Sequence, residues 1–232
     1  MQNIVLPNVL KPTYLKPKNS KNYIDSLKFL LKKEFGFSNL EQCHKIDTPK
    51  KVKGWNTDQK SLLHKTVYKD FDRKKKSIII PEYYQVCKDI IKIYKNKTGI
   101  KDWAVQRFPS MRFHWPRDLA VCEFHKDCDY SHSAAESNNI FFFTKAKNTN
   151  AIWFERNLGC KDFFPLNIDK GKIAILNSAI YMHGNKVNTE GWTRVSSDFR
   201  IIPLKAIEKG TKTLLKKKKL DLSGYFIDAK RI

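Results

Sequence analysis

Apolar positions follow two different periods along this chain, and the change falls near residue 100. Upstream, Tyr23, Leu27, Leu30 and Leu31 recur at helical spacing, and Gly36 follows as a stop. A second helix is predicted from Pro81, with Tyr84, Val86, Cys87, Ile90, Ile91 and Tyr94 marking one apolar side and Lys97-Thr98-Gly99 closing it. Residues 44 to 62 are polar, rich in Lys and broken by Pro49 and Gly54, which predicts a loop. From residue 101 onward, β-branched and aromatic runs alternate with Pro, Gly, Asn and Asp at a spacing of roughly ten residues. They predict strands over 103–108, 111–115, 119–127, 138–145, 150–155, 163–168, 171–177 and 193–202.

That many short strands in one unit imply an α+β fold with a double-stranded β-helix, or jelly-roll, core buttressed by N-terminal helices. Residues 1–100 are expected to form the buttress, 101–205 the core and 206–232 a basic C-terminal extension containing the apolar SGYFI. No repeat with a period of 20 to 50 residues is present.

Composition and charge change this picture in several ways. A chain of 232 residues and 27.2 kDa fits one domain with a full core. Its 41% hydrophobic share and fifteen Phe exclude a disordered chain, and no apolar run approaches the ~20 residues of a membrane helix. The start, MQNIVLPNVLKPTYLKPK, lacks the pattern of a signal peptide, so a cytoplasmic location is expected. Five Cys without a CxxC pair fit reduced thiols. The formal charge of +22 invites a nucleic-acid partner, yet only eight of the 45 basic residues are Arg, the residue whose planar fork suits phosphate and base recognition. The clusters at Lys74–Lys76 and Lys216–Lys219 therefore read first as solvated surface, and a small-molecule partner is favoured over nucleic acid.

The candidate chemistry lies in the β-rich half. His125 and Asp127 stand two apart in VCEFHKDCDY, and on a strand that spacing sends both side chains to one face. His183, at the head of a loop leading into a strongly patterned strand, is the partner that completes two imidazoles and one carboxylate. Such a set leaves open positions on a metal and is the facial triad of Fe(II) oxygenases. In TRVSSDFRI, Arg194, Ser196, Asp198 and Arg200 share one strand face, while Val195, Ser197, Phe199 and Ile201 share the other. Arg194 with Ser196 makes an anchor for a dicarboxylate cosubstrate. Arg200 is either a further contact or the partner of Asp198 in an ion pair. A competing Zn(II) set, Cys122, His125, Cys128 and His132, is disfavoured because strand geometry turns 122 and 128 away from 125.

Residues 105 to 203 resemble the Fe(II)/2-oxoglutarate-dependent oxygenase superfamily, and within it the streptomycin-biosynthesis-type branch. The resemblance rests on FPSMRFHWP, FHKDCDYSH, Asn138 or Asn139, HGNKVNTEG and RVSSDFR in that order. It implies a dioxygenase that hydroxylates a small polar metabolite such as a sugar or amino-acid derivative, with succinate and CO2 released. Its cofactors would be Fe(II) on His125, Asp127 and His183, 2-oxoglutarate on Arg194, Ser196, Asn139 and Arg200, and O2. Tyr130, His132, Arg112 and Trp153 are further pocket candidates. Two alternatives stand beside this reading: an AlkB-type nucleic-acid dealkylase, whose triad is also followed by Arg-x5-Arg, and a non-catalytic cupin-like or nucleic-acid-binding module.

Overall fold

A computed structural model describes residues 12–47, 58–73, 76–120, 123–207, 220–222 and 224–232. Three helices precede the sheet-rich half: α1 (Ser20–Phe35), α2 (Leu62–Asp72) and α3 (Ile80–Thr98). α1 and α3 both stop on glycines in the left-handed conformation, Gly36 at φ 67° and Gly99 at φ 71°, as their stop signals predicted. α2 was not anticipated. Its signals are nonetheless present, since the Ser61 hydroxyl caps the His64 amide and Leu63, Val67 and Phe71 recur every fourth residue on the buried side.

The strands are β1 (Thr13–Leu15), β2 (Trp103–Gln106), β3 (Ser110–His114), β4 (Ser137–Phe142), β5 (Trp153–Glu155), β6 (Phe163–Pro165), β7 (Ile173–Leu176), β8 (His183–Gly184), β9 (Arg194–Pro203) and β10 (Phe226–Asp228). They form a seven-stranded sheet in the order β1-β7-β4-β9-β2-β10, with β3 also on β9, and a three-stranded sheet in the order β6-β5-β8. Every pairing is antiparallel, and His125 extends the small sheet by bridging to His183. From β3 onward the chain passes back and forth between the sheets: β3 and β4 in the large one, His125 and β5–β6 in the small one, then β7, β8 and β9 in turn. This is the expected α+β jelly-roll.

Two predicted features differ. The run 119–127 does not form a strand among its described residues; His125 makes a single bridge and Asp127–Tyr130 is a 3-10 turn. Residues 226–228, read as part of an extension, return to the large sheet beside β2. The Lys-rich stretches at 48–57, Lys74–Lys75 and 208–219, and Cys122, lie outside the described residues. Among the described residues no helix is long and apolar enough to cross a membrane.

The large sheet separates two apolar cores. On its outer face Tyr23, Leu27, Tyr83, Val86 and Ile90 of the helices pack on Phe113, Phe141, Val195, Phe199 and Ile201. On its inner face Ile140, Phe142, Ala174 and Leu176 meet Phe154, Leu166 and Tyr181. The polar residues of β9 open into a cleft beside that inner core.

Candidate metal centre

His125, Asp127 and His183 come together although no common strand carries them. The pairing of His125 N–H with the His183 carbonyl (3.0 Å), and the reverse bond (2.9 Å), sets the two histidines side by side on neighbouring chains of the small sheet. Asp127 then begins its 3-10 turn with its amide on the Ser178 carbonyl at 2.8 Å, which swings the carboxylate back toward both rings. The i, i+2 parity expected of a strand is therefore replaced by a turn that reaches the same convergence.

The ligand atoms of the three residues lie within 4.8 Å of one another. Asp127 Oδ1 is 3.6 Å from His125 Nε2 and 3.7 Å from His183 Nε2. Atoms each about 2.1 Å from one ion must lie within ~4.2 Å of one another, and both Asp–His spacings meet that limit. Each ring places Nδ1 on a carbonyl, His125 on Glu123 O at 2.9 Å and His183 on Tyr181 O at 3.3 Å. A carbonyl accepts only from N–H, which leaves the Nε2 lone pairs for the ion. Asp127 Oδ2 is engaged elsewhere, accepting from Arg200 Nη2 at 2.7 Å and from the Ser178 hydroxyl. Burial alone pushes the Asp127 carboxyl up, but the opposing pull, led by the Arg200 guanidinium, outweighs it and holds the group well below the usual carboxylate range. Burial lowers the His183 pKa against the pull of Asp127, favouring the neutral ring a metal requires.

Among the described residues these three are the only cluster of His, Cys, Asp or Glu placed so that it could hold a metal ion. Of the competing zinc set, Cys128 is exposed and His132 Nδ1 is occupied by Glu136 at 2.7 Å. Two imidazoles and a carboxylate, with no thiolate, are a donor set suited to Fe(II).

The triad opens into a half-open cleft lined also by Arg112, Asn138, Ile140, Ile152, Asn185, Arg194, Ser196, Asp198 and Arg200. Arg194 is only 1% exposed, and its Nη1 donates to Asn185 Oδ1 at 3.1 Å. Beside it on the same strand face, the Ser196 hydroxyl is fully buried with no hydrogen-bond partner among the described residues. Leaving a buried polar atom unsatisfied costs on the order of 1–3 kcal/mol, so this wall fits a ligand that brings acceptor oxygens. His114, paired across from Arg194 in the β3–β9 register, is held neutral, its pKa lowered to about 3 by burial and by the Arg194 charge.

Other candidates fall elsewhere. Asn139 lies on the helix side of β4, where its side-chain amide donates to Ser137 O and its Oδ1 accepts from Tyr94 OH; it does not line the cleft. Its neighbour Asn138 does, with Oδ1 buried and without a hydrogen-bond partner among the described residues. Tyr130 stands edge-on to His125 with ring centres 5.2 Å apart. Arg112 Nε pairs with Asp198 at 3.2 Å. Trp153 is outside the lining, its ring capped by Lys186 at 3.4 Å. Ser178, Asn185 and Glu136 carried no signal in the sequence, since each acts through a contact made only by the folded chain.

No family model matches the chain. It is 28% identical over 152 residues, 66% of its length and 68% of the relative's, to the streptomycin biosynthesis protein StrG of Streptomyces griseus. Among solved structures it is similar to the non-heme monooxygenase ThoJ in complex with Ni, at TM-score 0.49 and 10% identity over 90% of this chain and 83% of that one. It is also similar to a Pseudomonas putida prolyl-4-hydroxylase, at TM-score 0.44 and 9% identity over 85% of this chain and 96% of that one.

Proposed function

We propose that the chain is an Fe(II)/2-oxoglutarate-dependent dioxygenase that hydroxylates a small polar metabolite, a sugar or amino-acid derivative, with release of succinate and CO2. The observation that carries the reading is the meeting of two imidazole Nε2 atoms and one carboxylate Oδ1 in a cleft whose polar wall holds Arg194 beside the unpartnered Ser196 hydroxyl. His125, Asp127 and His183 would hold the iron. Bound there, Fe(II) would couple O2 activation to oxidative decarboxylation of 2-oxoglutarate.

The chain's own residues do the positioning. Arg194 would bind the distal carboxylate through its planar fork, with Ser196 Oγ donating a further hydrogen bond. The Asn185 contact holds that guanidinium in place. Asn138 and Arg112 would face whatever else enters the cleft. Burial of this wall removes competing water, which strengthens each charged contact. The likeness to a protein of streptomycin biosynthesis supports a small-molecule substrate.

The AlkB-type alternative retains one point in its favour, because Arg200 also lines the cleft six residues beyond Arg194. Arg200, however, is taken up by carboxylates of the protein itself, at 2.7 Å from Asp127 and 3.1 Å from Asp198. Anaerobic titration with Fe(II) and 2-oxoglutarate, followed by O2 and a screen of sugars, amino acids and alkylated oligonucleotides for succinate release, tests all readings. We expect one Fe(II) per chain, 2-oxoglutarate binding that depends on it, and succinate stimulated by a small metabolite. Stimulation by alkylated oligonucleotides alone would install the dealkylase; failure to bind 2-oxoglutarate once iron is loaded would leave the non-catalytic module.

A further inference from the structure

Arg200 is a buried cation faced by carboxylates on three edges and hydrogen-bonded to them on two. Nη2 meets Asp127 Oδ2 at 2.7 Å, Nη1 meets Asp198 Oδ2 at 3.1 Å, and Nε faces Glu136 Oε2 at 3.9 Å. The last distance is too long for a hydrogen bond but short for a charge contact in a buried setting. Glu136 is itself only 4% exposed and is fixed by two further partners, the His132 ring at 2.7 Å and the Ser133 amide at 3.1 Å. Asp198 is likewise held from its other oxygen by Arg112. Neither Glu136 nor Asp198 belongs to the triad.

We propose that Glu136 and Asp198 are positioning residues for the metal ligand Asp127, acting through Arg200. A guanidinium keeps its donors in one rigid plane, so the Asp198 hydrogen bond at Nη1, with the Glu136 charge facing Nε, sets where Nη2 points. Nη2 in turn holds Asp127 Oδ2, with Ser178 as its second donor, and that leaves Oδ1 as the atom facing both histidines. The carboxylate is thereby presented to a metal through one oxygen. The two outer carboxylates also share the neutralisation of the buried Arg200, so Asp127 retains charge for the cation instead of spending it on the guanidinium. Contacts of this kind beyond the ligands alter metal affinity by roughly ten- to a hundredfold when removed.

The inference rests on the triad being a metal site, and its test separates the two. Co(II) is titrated into the full chain by calorimetry, with visible absorption following its coordination, for wild type, Glu136→Gln, Asp198→Asn, Arg200→Gln and the double variant Glu136→Gln/Arg200→Gln. Near-UV circular dichroism establishes that each is folded. Glu136→Gln and Asp198→Asn should each weaken Co(II) by about tenfold and alter its spectrum. In the Arg200→Gln background, Glu136→Gln should weaken it no further, because its route to the ligand is gone. A purely structural role for Glu136 would lower thermal stability while leaving the affinity and spectrum of the folded protein unchanged, and that result overturns the proposal. Additive losses in the double variant overturn it as well. If the wild type itself binds no Co(II), the metal-site reading falls and takes this inference with it; if only the variants fail to differ, the metal site stands and the coupling does not.

Discussion

The two faces of β9 have nearly the same length and opposite purposes. Toward the helices, Val195, Phe199 and Ile201 are buried in the larger core, with Phe199 edge-on to Tyr83 at 5.1 Å and Ser197 tied to the Tyr23 hydroxyl. Toward the cleft, Arg194, Ser196, Asp198 and Arg200 are buried or nearly so, yet they form a polar wall that includes an unpartnered hydroxyl. One face gains from every atom it removes from water, while the other carries the desolvation cost of charged groups. Such groups are tolerated when they are paired or await a ligand. The strand is thus a partition, with an apolar core on one side and a polar cleft on the other.

The sharpest way to break that comparison is at the triad. His183→Ala should abolish metal-dependent turnover and metal binding while the protein still melts cooperatively, measured by calorimetric metal titration alongside thermal unfolding. Phe199→Ala, one strand face away from the cleft residues, should do the reverse. It should cost about 3–5 kcal/mol of stability, with the surviving folded fraction still binding metal. Should His183→Ala unfold the chain, or Phe199→Ala remove metal affinity from folded protein, the partition is not real.

A smaller effect sharpens the polar side. Arg194→Ala should raise the apparent 2-oxoglutarate constant by roughly tenfold to a thousandfold with metal binding retained, and Arg194→Lys should recover only part of the loss. An unchanged constant in Arg194→Ala, with a large loss in Arg200→Ala at full metal occupancy, would move the anchor to Arg200. The smallest effect separates adjacent asparagines on β4. Asn138→Ala should change ligand affinity in the cleft, whereas Asn139→Ala should lower stability by about 1–3 kcal/mol, through loss of its bonds to Tyr94 and Ser137, with affinity unchanged. Equal effects on affinity would erase the distinction between the faces.

Much of this was legible along the chain because strand and helix periods report burial directly. The alternation in RVSSDFRI predicted which residues of β9 would face the cleft, and the glycine stops of α1 and α3 predicted their ends. The composition and order of the β-rich runs also predicted the jelly-roll. Reading failed where the backbone leaves its regular period. The run 119–127 looked like a strand, but Asp127 reaches the histidines from a 3-10 turn pinned to Ser178, a residue 51 positions away. The resemblance assigns Asn139 to the cosubstrate although Asn138 is the one that lines the cleft, because the register of β4 that aims one at the cleft and the other at Tyr94 is set by its pairing with β7 and β9.

The sequence by itself determined the element types, the two-faced β9 and the identity of the His, Asp and Arg side chains able to do the chemistry, because these depend on local period and on functional groups. Only the tertiary structure decided that Asp127 presents one oxygen while Arg200 and Ser178 hold the other, and that Glu136 and Asp198 stand behind Arg200. Those relations span 51 to 73 positions of chain between Asp127 and its two donors. Hydrogen bonds and charge contacts act over a few ångströms of space, so they leave no periodic trace in the order of residues and exist only once sheet pairing has brought those residues together.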